Sequence, residues 1–225
     1  MKTLFCWVLV LAGAHLFAQN SQARVIDFTG SVEIKAGGQA DWIPAAPGMA
    51  IGRDTVVSTG FNSTARISLG NSVLTVRPLT RLTVAEIAQR GGDEAVDLYL
   101  ETGRVRAEVS PPSGGKTDFT VRSPSITASV RGTVFEFDTR RIQVESGRVL
   151  FTNANRQAVY VDGGERSYID EAQNRPVPPF EAEAASLRPV LPGLIDTVRN
   201  DAGTAPVVSH PLGGNADVEA GFEWP

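Results

Sequence analysis

Apolar side chains at every second position are the feature that most constrains the fold of this chain. Between Arg24 and Ile169 they recur in short runs, and Gly, Asn, Ser and Pro separate one run from the next. A period of two places alternate side chains on one face of a strand, and no stretch of this region has a convincing helical period. The pattern predicts an all-β fold, either a hairpin-rich β-sandwich or a short β-solenoid-like domain.

The beginning of the chain predicts export. Residues 1–18 combine a positive charge at Lys2 with an apolar run and end on the small residue Ala18, as in a cleaved signal peptide; a cut after Ala23 is the alternative. The apolar run is shorter than the roughly 20 residues that span a bilayer, so we expect no transmembrane helix in the mature chain. The protein is therefore predicted to be periplasmic or secreted.

The end of the chain differs from the middle in composition. Residues 170–225 carry nine acidic residues, three basic residues and eight prolines. This composition is typical of an acidic, Pro-rich and mostly disordered tail. The predicted β domain accordingly occupies residues 24–169.

Histidine and cysteine are nearly absent from the predicted mature chain. Its one histidine, His210, lies in the tail, and Cys6 lies within the signal peptide. Thiolate chemistry, a Ser-His pair and a zinc site are therefore excluded from the β domain, and no cofactor is expected. That domain has seventeen basic and sixteen acidic residues, a balance that argues against nucleic acid as a partner.

Two similar segments each contain a central glycine: "VDLYLETGRVRAEV" at 96–109 and "RIQVESGRVLF" at 141–151. If Gly103 and Gly147 lie in two-residue hairpin loops, the apolar residues on both sides pair face to face. The acid and the arginine that flank each glycine then pair across the hairpin. Thr-Gly and Ser-Gly are not the best primed turns, so each glycine has a second interpretation as the corner of a solenoid-like coil.

The stretch "VRSPSITASVRGTVFEF" at 121–137 changes its periodicity at one Arg-Gly pair. Ile126, Ala128 and Val130 share one parity, whereas Phe135 and Phe137 have the opposite parity. Keeping both runs in one core requires one residue to be absorbed at Arg131 and Gly132, through a bulge or a sharp bend.

Arg131 has two interpretations that the sequence leaves open. In the structural one, Arg131 and Thr133 satisfy the backbone polar groups that the break leaves unpaired. In the functional one, Arg131 presents its guanidinium donors to an anionic ligand or to a carboxylate of a partner. The first predicts that Arg131→Ala loses folding stability, and the second predicts a normal melt with lost binding.

With these motifs laid out, the chain resembles the FecR family, named for the regulator of ferric citrate transport. The family's periplasmic β-rich domain has a "VRTP.A…VRGT.F.V" signature, which this chain approaches with "VRSPSITASVRGTVFEF". Further matches, "GSVEI", "GMAIGRDTVVSTGFNSTARISL", "NSVLTVRPLTRLTV" and "VESGRV", follow the family's order over about residues 25–165. The central family motif comprises Val130, Arg131, Gly132, Thr133 and Phe135.

The resemblance implies a place in a signalling relay, although this chain departs from the pattern. In such regulators an outer-membrane transporter signals to the periplasmic domain, which acts through one transmembrane helix on a cytoplasmic segment that holds a sigma factor. Here no cytoplasmic segment precedes the hydrophobic run, and the Pro-rich tail stands where a further signalling module is expected. We therefore expect the β module and its compartment to carry over, but not a direct anti-sigma role.

Three functions compete. The favoured one is a non-enzymatic secreted envelope protein whose β domain binds a protein partner or an envelope ligand, in signalling or assembly. The second is a module that binds cell-wall polysaccharide, with Trp42 as its platform. The third is an enzyme with an acid pair such as Glu136 and Asp138, but these share a strand face that is expected to point to solvent, so no enzymatic activity is predicted.

Overall fold

The computed structural model describes residues 23–186. This range consists mainly of strands, which confirms the all-β prediction. In chain order the strands are β1 (Ala23–Thr29), β2 (Val32–Lys35), β3 (Ile43–Pro44), β4 (Ala50–Ile51), β5 (Thr55–Thr59), β6 (Thr64–Leu69), β7 (Ser72–Val76), β8 (Arg81–Arg90), β9 (Asp93–Thr102), β10 (Arg104–Glu108), β11 (Thr117–Arg122), β12 (Ile126–Val130), β13 (Val134–Asp138), β14 (Arg141–Ser146), β15 (Arg148–Asn153), β16 (Ala158–Asp162), β17 (Arg166–Asp170) and β18 (Arg175–Pro176). The helix α1 (Pro179–Ser186) follows them.

The strands form two nine-stranded sheets. The first sheet has the order β18-β17-β14-β13-β10-β7-β6-β1-β4, and the second has the order β16-β15-β12-β11-β9-β8-β5-β2-β3. Neighbouring strands are antiparallel, except that β9 and β11 run parallel. The chain places one or two strands in one sheet and then crosses to the other, so it advances along both sheets together. The fold thus has the paired sheets of a sandwich and the steady advance of a solenoid.

One hydrophobic core lies between the sheets. Strands of both sheets bury every second side chain, for example Leu74 in β7 and Leu98 in β9. Phe119 of the second sheet meets Phe135 of the first edge to face, with 6.4 Å between ring centroids. Because residues of both sheets contribute to the same buried cluster, the two sheets form a single folded unit.

Gly103 and Gly147 do not close hairpins, so that prediction is wrong. The strands on either side of each glycine lie in different sheets: β9 and β10 at Gly103, and β14 and β15 at Gly147. Both glycines have positive φ, 93° and 87°. An added Cβ would lie 2.2 Å from Thr80 Oγ1 at Gly103 and 2.6 Å from the Gly132 carbonyl oxygen at Gly147. Each glycine is therefore a corner that leads the chain from one sheet to the other, as in the second interpretation.

The charges that flank these glycines do not pair with each other. At the Gly147 corner, Arg106 binds Glu145 with 2.7 Å between Nη2 and Oε2, and Arg148 binds Asp162 with 3.1 Å between Nη2 and Oδ2. The Arg106 guanidinium lowers the pKa of the Glu145 carboxyl. The acid and the arginine at the other corner likewise have partners on separate strands. The expected cross-hairpin pairs are absent here because the two residues of each pair belong to different sheets.

The fold continues past the predicted domain end at residue 169. β18 pairs with β17, α1 packs on β17, and Val177 and Ala182 are buried. The start of the acidic segment therefore belongs to the folded domain. The predicted signal peptide, residues 1–18, and residues 187–225 of the predicted tail lie outside the described residues. Between residues 23 and 186, the structure has no helix that is both long and apolar enough to span a membrane.

Candidate functional site

The family motif lies at a crossing between the sheets. Val130 ends β12 in the second sheet, and β13 begins in the first sheet at Val134. Gly132, with a φ of 144°, lies between them. Val130 and Phe135 are both buried although their parities differ, because the inward face of a strand reverses when the chain changes sheets. The predicted sharp bend is present, and it transfers the chain to the opposite sheet.

Thr133 satisfies the polar groups of this crossing. Its N–H donates to the Val109 carbonyl at 3.2 Å, and its carbonyl accepts the Val109 N–H at 2.9 Å. The Thr133 hydroxyl donates to the Arg148 carbonyl at 3.2 Å. Thr133 itself is buried. These contacts hold the backbone of the crossing without any contribution from Arg131.

Arg131 is exposed and forms no hydrogen bond or ion pair with any residue of the 23–186 range. It lines a cavity of about 270 Å³ whose walls also include Arg90, Asp93, Lys116 and Asp118. The backbone N–H of Lys116 donates to Asp93 Oδ1 at 2.8 Å, which connects the start of β9 to the start of β11. Of the two residues that the structural interpretation names, Thr133 makes the backbone contacts of the crossing, and the Arg131 guanidinium makes none with residues 23–186.

Glu94 is a buried carboxyl at the margin of the same cavity. It is 1% exposed, and neither carboxylate oxygen forms a hydrogen bond of normal geometry with a described residue. The carboxylate lies against Gly70, where an added Cβ would lie 1.4 Å from Oε1. Burial raises the pKa of the Glu94 carboxyl, and the backbone N–H of Asn71 opposes part of this effect. Sequence reasoning missed Glu94, although its parity matches that of the inward-facing Val96.

Trp42 lies in the loop between β2 and β3 and is half-buried. Lys35 Nζ lies 5.3 Å from its ring centroid, and the Arg81 guanidinium carbon lies 5.7 Å from it. A sugar stacked on this ring would compete with these cation–π contacts. Tyr160 is a more accessible aromatic side chain, at 62% exposure on the outer face of the second sheet.

Glu136 and Asp138 lie together on the outer face of the first sheet, as their spacing predicts. Glu136 Oε1 lies 3.5 Å from Arg77 Nε, and Asp138 Oδ2 lies 3.8 Å from Arg104 Nη2. Asp138 Oδ1 also accepts the backbone N–H groups of the turn between β13 and β14. Both carboxylates therefore take part in a surface ion-pair network. No cluster of three or more potential metal-ligating side chains occurs in the part of the chain that the structure describes.

A groove of about 420 Å³ lies between the outer face of the first sheet and α1. Arg104, Arg141, Arg166 and Tyr168 line it, together with Glu136 and Asp138. Sequence reasoning missed this groove because α1 falls in the segment whose composition predicts a disordered tail. The apolar alternation of the strands carries no information about which element covers their outer face.

Residues 55–150 match the family model described as FecR protein. The central part of the chain is therefore similar to FecR proteins, in agreement with the resemblance seen in the sequence. This match includes β5 to β14 and the whole Val130–Phe135 motif.

Two crystal structures of a candidate anti-sigma factor from Parabacteroides distasonis are similar to this chain. One is 14% identical with a TM-score of 0.45 and aligns over 54% of this chain and 57% of its own. The other is 13% identical with a TM-score of 0.44 and aligns over 58% of this chain and 64% of its own. The chain thus spans less than two thirds of either structure. No curated protein matches the chain.

Proposed function

We propose that this protein is a non-enzymatic envelope component whose FecR domain binds a protein partner through the surface around Arg131. The observation that carries the proposal is that the Arg131 guanidinium has no partner among residues 23–186, whereas the side chains of Val130, Thr133 and Phe135 in the same family motif are buried. Val130, Thr133 and Phe135 are held by the core and by backbone contacts. Arg131 alone of these side chains has no role in the fold.

Hydrogen bonds hold the backbone of the crossing that carries Arg131. Thr133 is bonded to both Val109 and Arg148, so the backbone that carries Arg131 is fixed on two sides. When a guanidinium binds a carboxylate in a bidentate geometry, it loses less conformational entropy on a fixed backbone than on a mobile one. The neighbouring Arg90 and Lys116 add positive charge to the same cavity, and Asp93 and Asp118 offset part of it; the Lys116 N–H is bonded to Asp93, whereas the Arg131 guanidinium has no such partner among residues 23–186. An acidic side chain or a C-terminal carboxylate of the partner suits this arrangement.

The predicted export signal and the match to the FecR family model together support a location in the periplasm or outside the cell. The partner is accordingly an envelope protein, and the role is in signalling or assembly. A direct anti-sigma role is not proposed for this chain. The described residues form only the β module and α1.

In-cell crosslinking tests this proposal. A photo-crosslinking residue at Asp118, which is exposed and lines the cavity, is expected to capture one envelope protein in the native organism. We expect Arg131→Ala to melt like the wild type but to reduce this capture about tenfold, the size of effect typical for loss of a specific charge contact. Arg131→Lys tests whether charge without the planar fork is sufficient.

Arg53→Ala is the matched control for these variants. Arg53 is an exposed arginine whose only ion pair among residues 23–186 is with the adjacent Asp54, at 3.9 Å. Its loss is expected to leave capture unchanged. Equal capture by the wild type and Arg131→Ala, or a large loss of stability in Arg131→Ala, would contradict the proposal.

Binding of cell-wall polysaccharide is the alternative function. It is favoured by the exposure of Tyr99 and Tyr160 on the outer face of the second sheet. Retention on purified peptidoglycan that is lost in Tyr160→Ala or Trp42→Ala, but kept in Arg131→Ala, would support the glycan over the protein partner.

A further inference from the structure

The two sheets end in four outermost strands that differ in how they are protected. The strands β3, β4 and β18 have only two residues each, and two of them contain a proline, Pro44 and Pro176. Short strands and prolines at sheet edges prevent the addition of further strands. The fourth edge strand, β16, has five residues with the sequence AVYVD and no proline. It lacks the protection that the other three edges have.

The unpaired side of β16 can be assigned from its register. Among the described residues, β16 pairs with β15 alone. The Asn153 N–H donates to the Gln157 carbonyl at 2.9 Å, and hydrogen-bonded pairs alternate along an antiparallel ladder. Val159 and Val161 therefore bond to β15. The N–H and C=O groups of Ala158 and Tyr160 point away from β15.

The ends of this open edge are defined by local contacts. The Asp162 N–H donates to Glu165 Oε2 at 2.8 Å, so this group is already used. Ala158 and Tyr160 remain as the positions where an added strand would form its first hydrogen bonds. An added strand that extends past Tyr160 would displace the Glu165 carboxylate.

The side chains of β16 specify the chemistry of an added strand. Val159 faces inward and is half-buried at the margin of the core. Tyr160 faces outward and is 62% exposed. Directly opposite residues on an antiparallel neighbour share a face. An added strand would therefore place apolar side chains beside Val159 on its inner face and smaller or polar side chains beside Tyr160.

We propose that β16 is a docking edge for an extended segment of a partner protein, which adds to the second sheet as an antiparallel tenth strand. A five-residue edge is far smaller than the roughly 1,200–2,000 Å² interface of a stable pair of folded proteins, but peptides of this length bind by strand addition. A partner segment therefore suits the edge better than a second copy of this chain. The inference rests on the proposed partner binding, although it uses a different surface from Arg131.

A synthetic peptide, KTVTVTVK, serves as the probe, and amide hydrogen exchange of the full chain is the measurement. In the antiparallel arrangement the valines face inward and the threonines lie opposite Ala158 and Tyr160. We expect the peptide to slow exchange of the Ala158 and Tyr160 amides about tenfold. N-methylation of the peptide threonines is expected to abolish this effect, whereas N-methylation of its valines preserves it.

Tyr160→Pro is the variant that tests the protein side. It removes the outward N–H but leaves the bonds of Val159 and Val161 to β15, so the protein is expected to fold and to lose peptide binding. Tyr160→Phe, which keeps the N–H, is the matched control and is expected to bind. If Tyr160→Pro does not fold, Ala158→Pro makes the same test at the other outward amide.

Several results would overturn the inference. The first is that the peptide leaves the exchange rates of the Ala158 and Tyr160 amides unchanged. The second is that the two N-methylated peptides slow exchange equally, or that only the threonine-methylated peptide slows it. The third is that the chain forms a dimer without peptide and that this dimer depends on Tyr160. Arg131→Ala is expected to bind the probe like the wild type. The peptide result therefore remains interpretable if crosslinking at Asp118 finds no partner, and a failure of the edge leaves the Arg131 result unaffected.

Discussion

At the scale of single residues, Thr133 and Arg131 at the crossing after β12 differ in their contacts. Thr133 bonds to Val109 and Arg148, whereas Arg131 bonds to neither. Both are polar residues beside the same glycine, so the sequence cannot show which of them holds the crossing. Val109 and Arg148 lie far away along the chain, and only the fold brings them to Thr133.

Glu94 is the second residue whose environment is visible only in the structure. It occupies an inward position at the start of β9, beneath the turn that joins β6 and β7. An ionised carboxylate at such a position loses its hydration, and the backbone N–H of Asn71 compensates for only part of that loss. The protonated form is therefore favoured in the folded state relative to the unfolded state.

We predict that Glu94 makes stability depend on pH. Because its folded-state pKa lies above the ordinary value of 4.5, its contribution is fully present below about pH 4.5 and is lost as pH rises through the raised pKa. Each unit by which the pKa is raised corresponds to about 1.4 kcal/mol. Glu94→Gln is expected to remove this decline, so the variant gains stability over the wild type as pH increases.

Denaturant unfolding between pH 4 and pH 8 measures this effect. Glu33→Gln, at an exposed position of β2, is the control and is expected to follow the wild-type curve. Parallel curves for the wild type and Glu94→Gln would show that Glu94 does not titrate differently in the two states.

At the scale of elements, the corners between the sheets share one construction. At Gly30, Gly103 and Gly147, an added Cβ would lie within 2.8 Å of a hydroxyl oxygen of a buried Ser or Thr. At Gly103 the hydroxyl of Thr80 accepts the N–H of the next residue, Arg104, at 3.0 Å. The glycine is required for close approach and for positive φ, and the hydroxyl satisfies the backbone groups that the corner exposes.

We predict that Gly103→Ala destabilises the fold by about 2 kcal/mol or more, because the new methyl meets Thr80 and the backbone has positive φ. The added Cβ would lie 2.5 Å from Thr80 Cα, which is backbone and cannot rotate away. For a chain of this size the melting temperature is expected to fall by roughly 5 °C or more. Gly52→Ala, with no atom within 4 Å of the added Cβ, is the control and is expected to change stability by less than about 0.5 kcal/mol. A normal melt for Gly103→Ala would contradict the corner construction.

At the scale of the whole molecule, the sheets share one core that begins with the first described residue. Ala23 is fully buried and pairs with Ile51 across β1 and β4. A signal cleavage after Ala23 would remove the first residue of β1, whereas a cleavage after Ala18 keeps the whole strand. Of the two predicted cuts, only the one after Ala18 therefore leaves β1 whole.

We predict that the protein is exported and that its mature form begins at Gln19. Amino-terminal sequencing or the intact mass of protein purified from the envelope fraction measures this directly. Ala18→Leu, which replaces the small residue before the cut, is expected to block or shift cleavage. A mature protein that begins at Arg24 would show that the first position of β1 is dispensable.

Much of the fold could be predicted from the sequence, but less of the candidate site. The alternation of apolar residues predicted the strands and the inward faces of β7, β9 and β13. Composition placed the end of the domain too early, because acidic and proline-rich residues also form β18 and α1. The cavity beside Arg131 could not be predicted, because Arg90 ends β8 and Lys116 precedes β11, and the sequence does not show how these two strands are placed relative to each other.

By itself, the sequence determined which side chains face the core and where the inward face changes parity, because the period of two depends only on the strand's own backbone. The tertiary structure decided which sheet each strand joins. A two-residue hairpin and a crossing between packed sheets produce the same change of parity at Gly103 and Gly147, so only the distant partners of β10 and β15 distinguish them. The open edge of β16 could likewise be recognised only in the tertiary structure. A strand is at an edge when no other strand pairs with one of its sides, and the sequence does not show which strands pair.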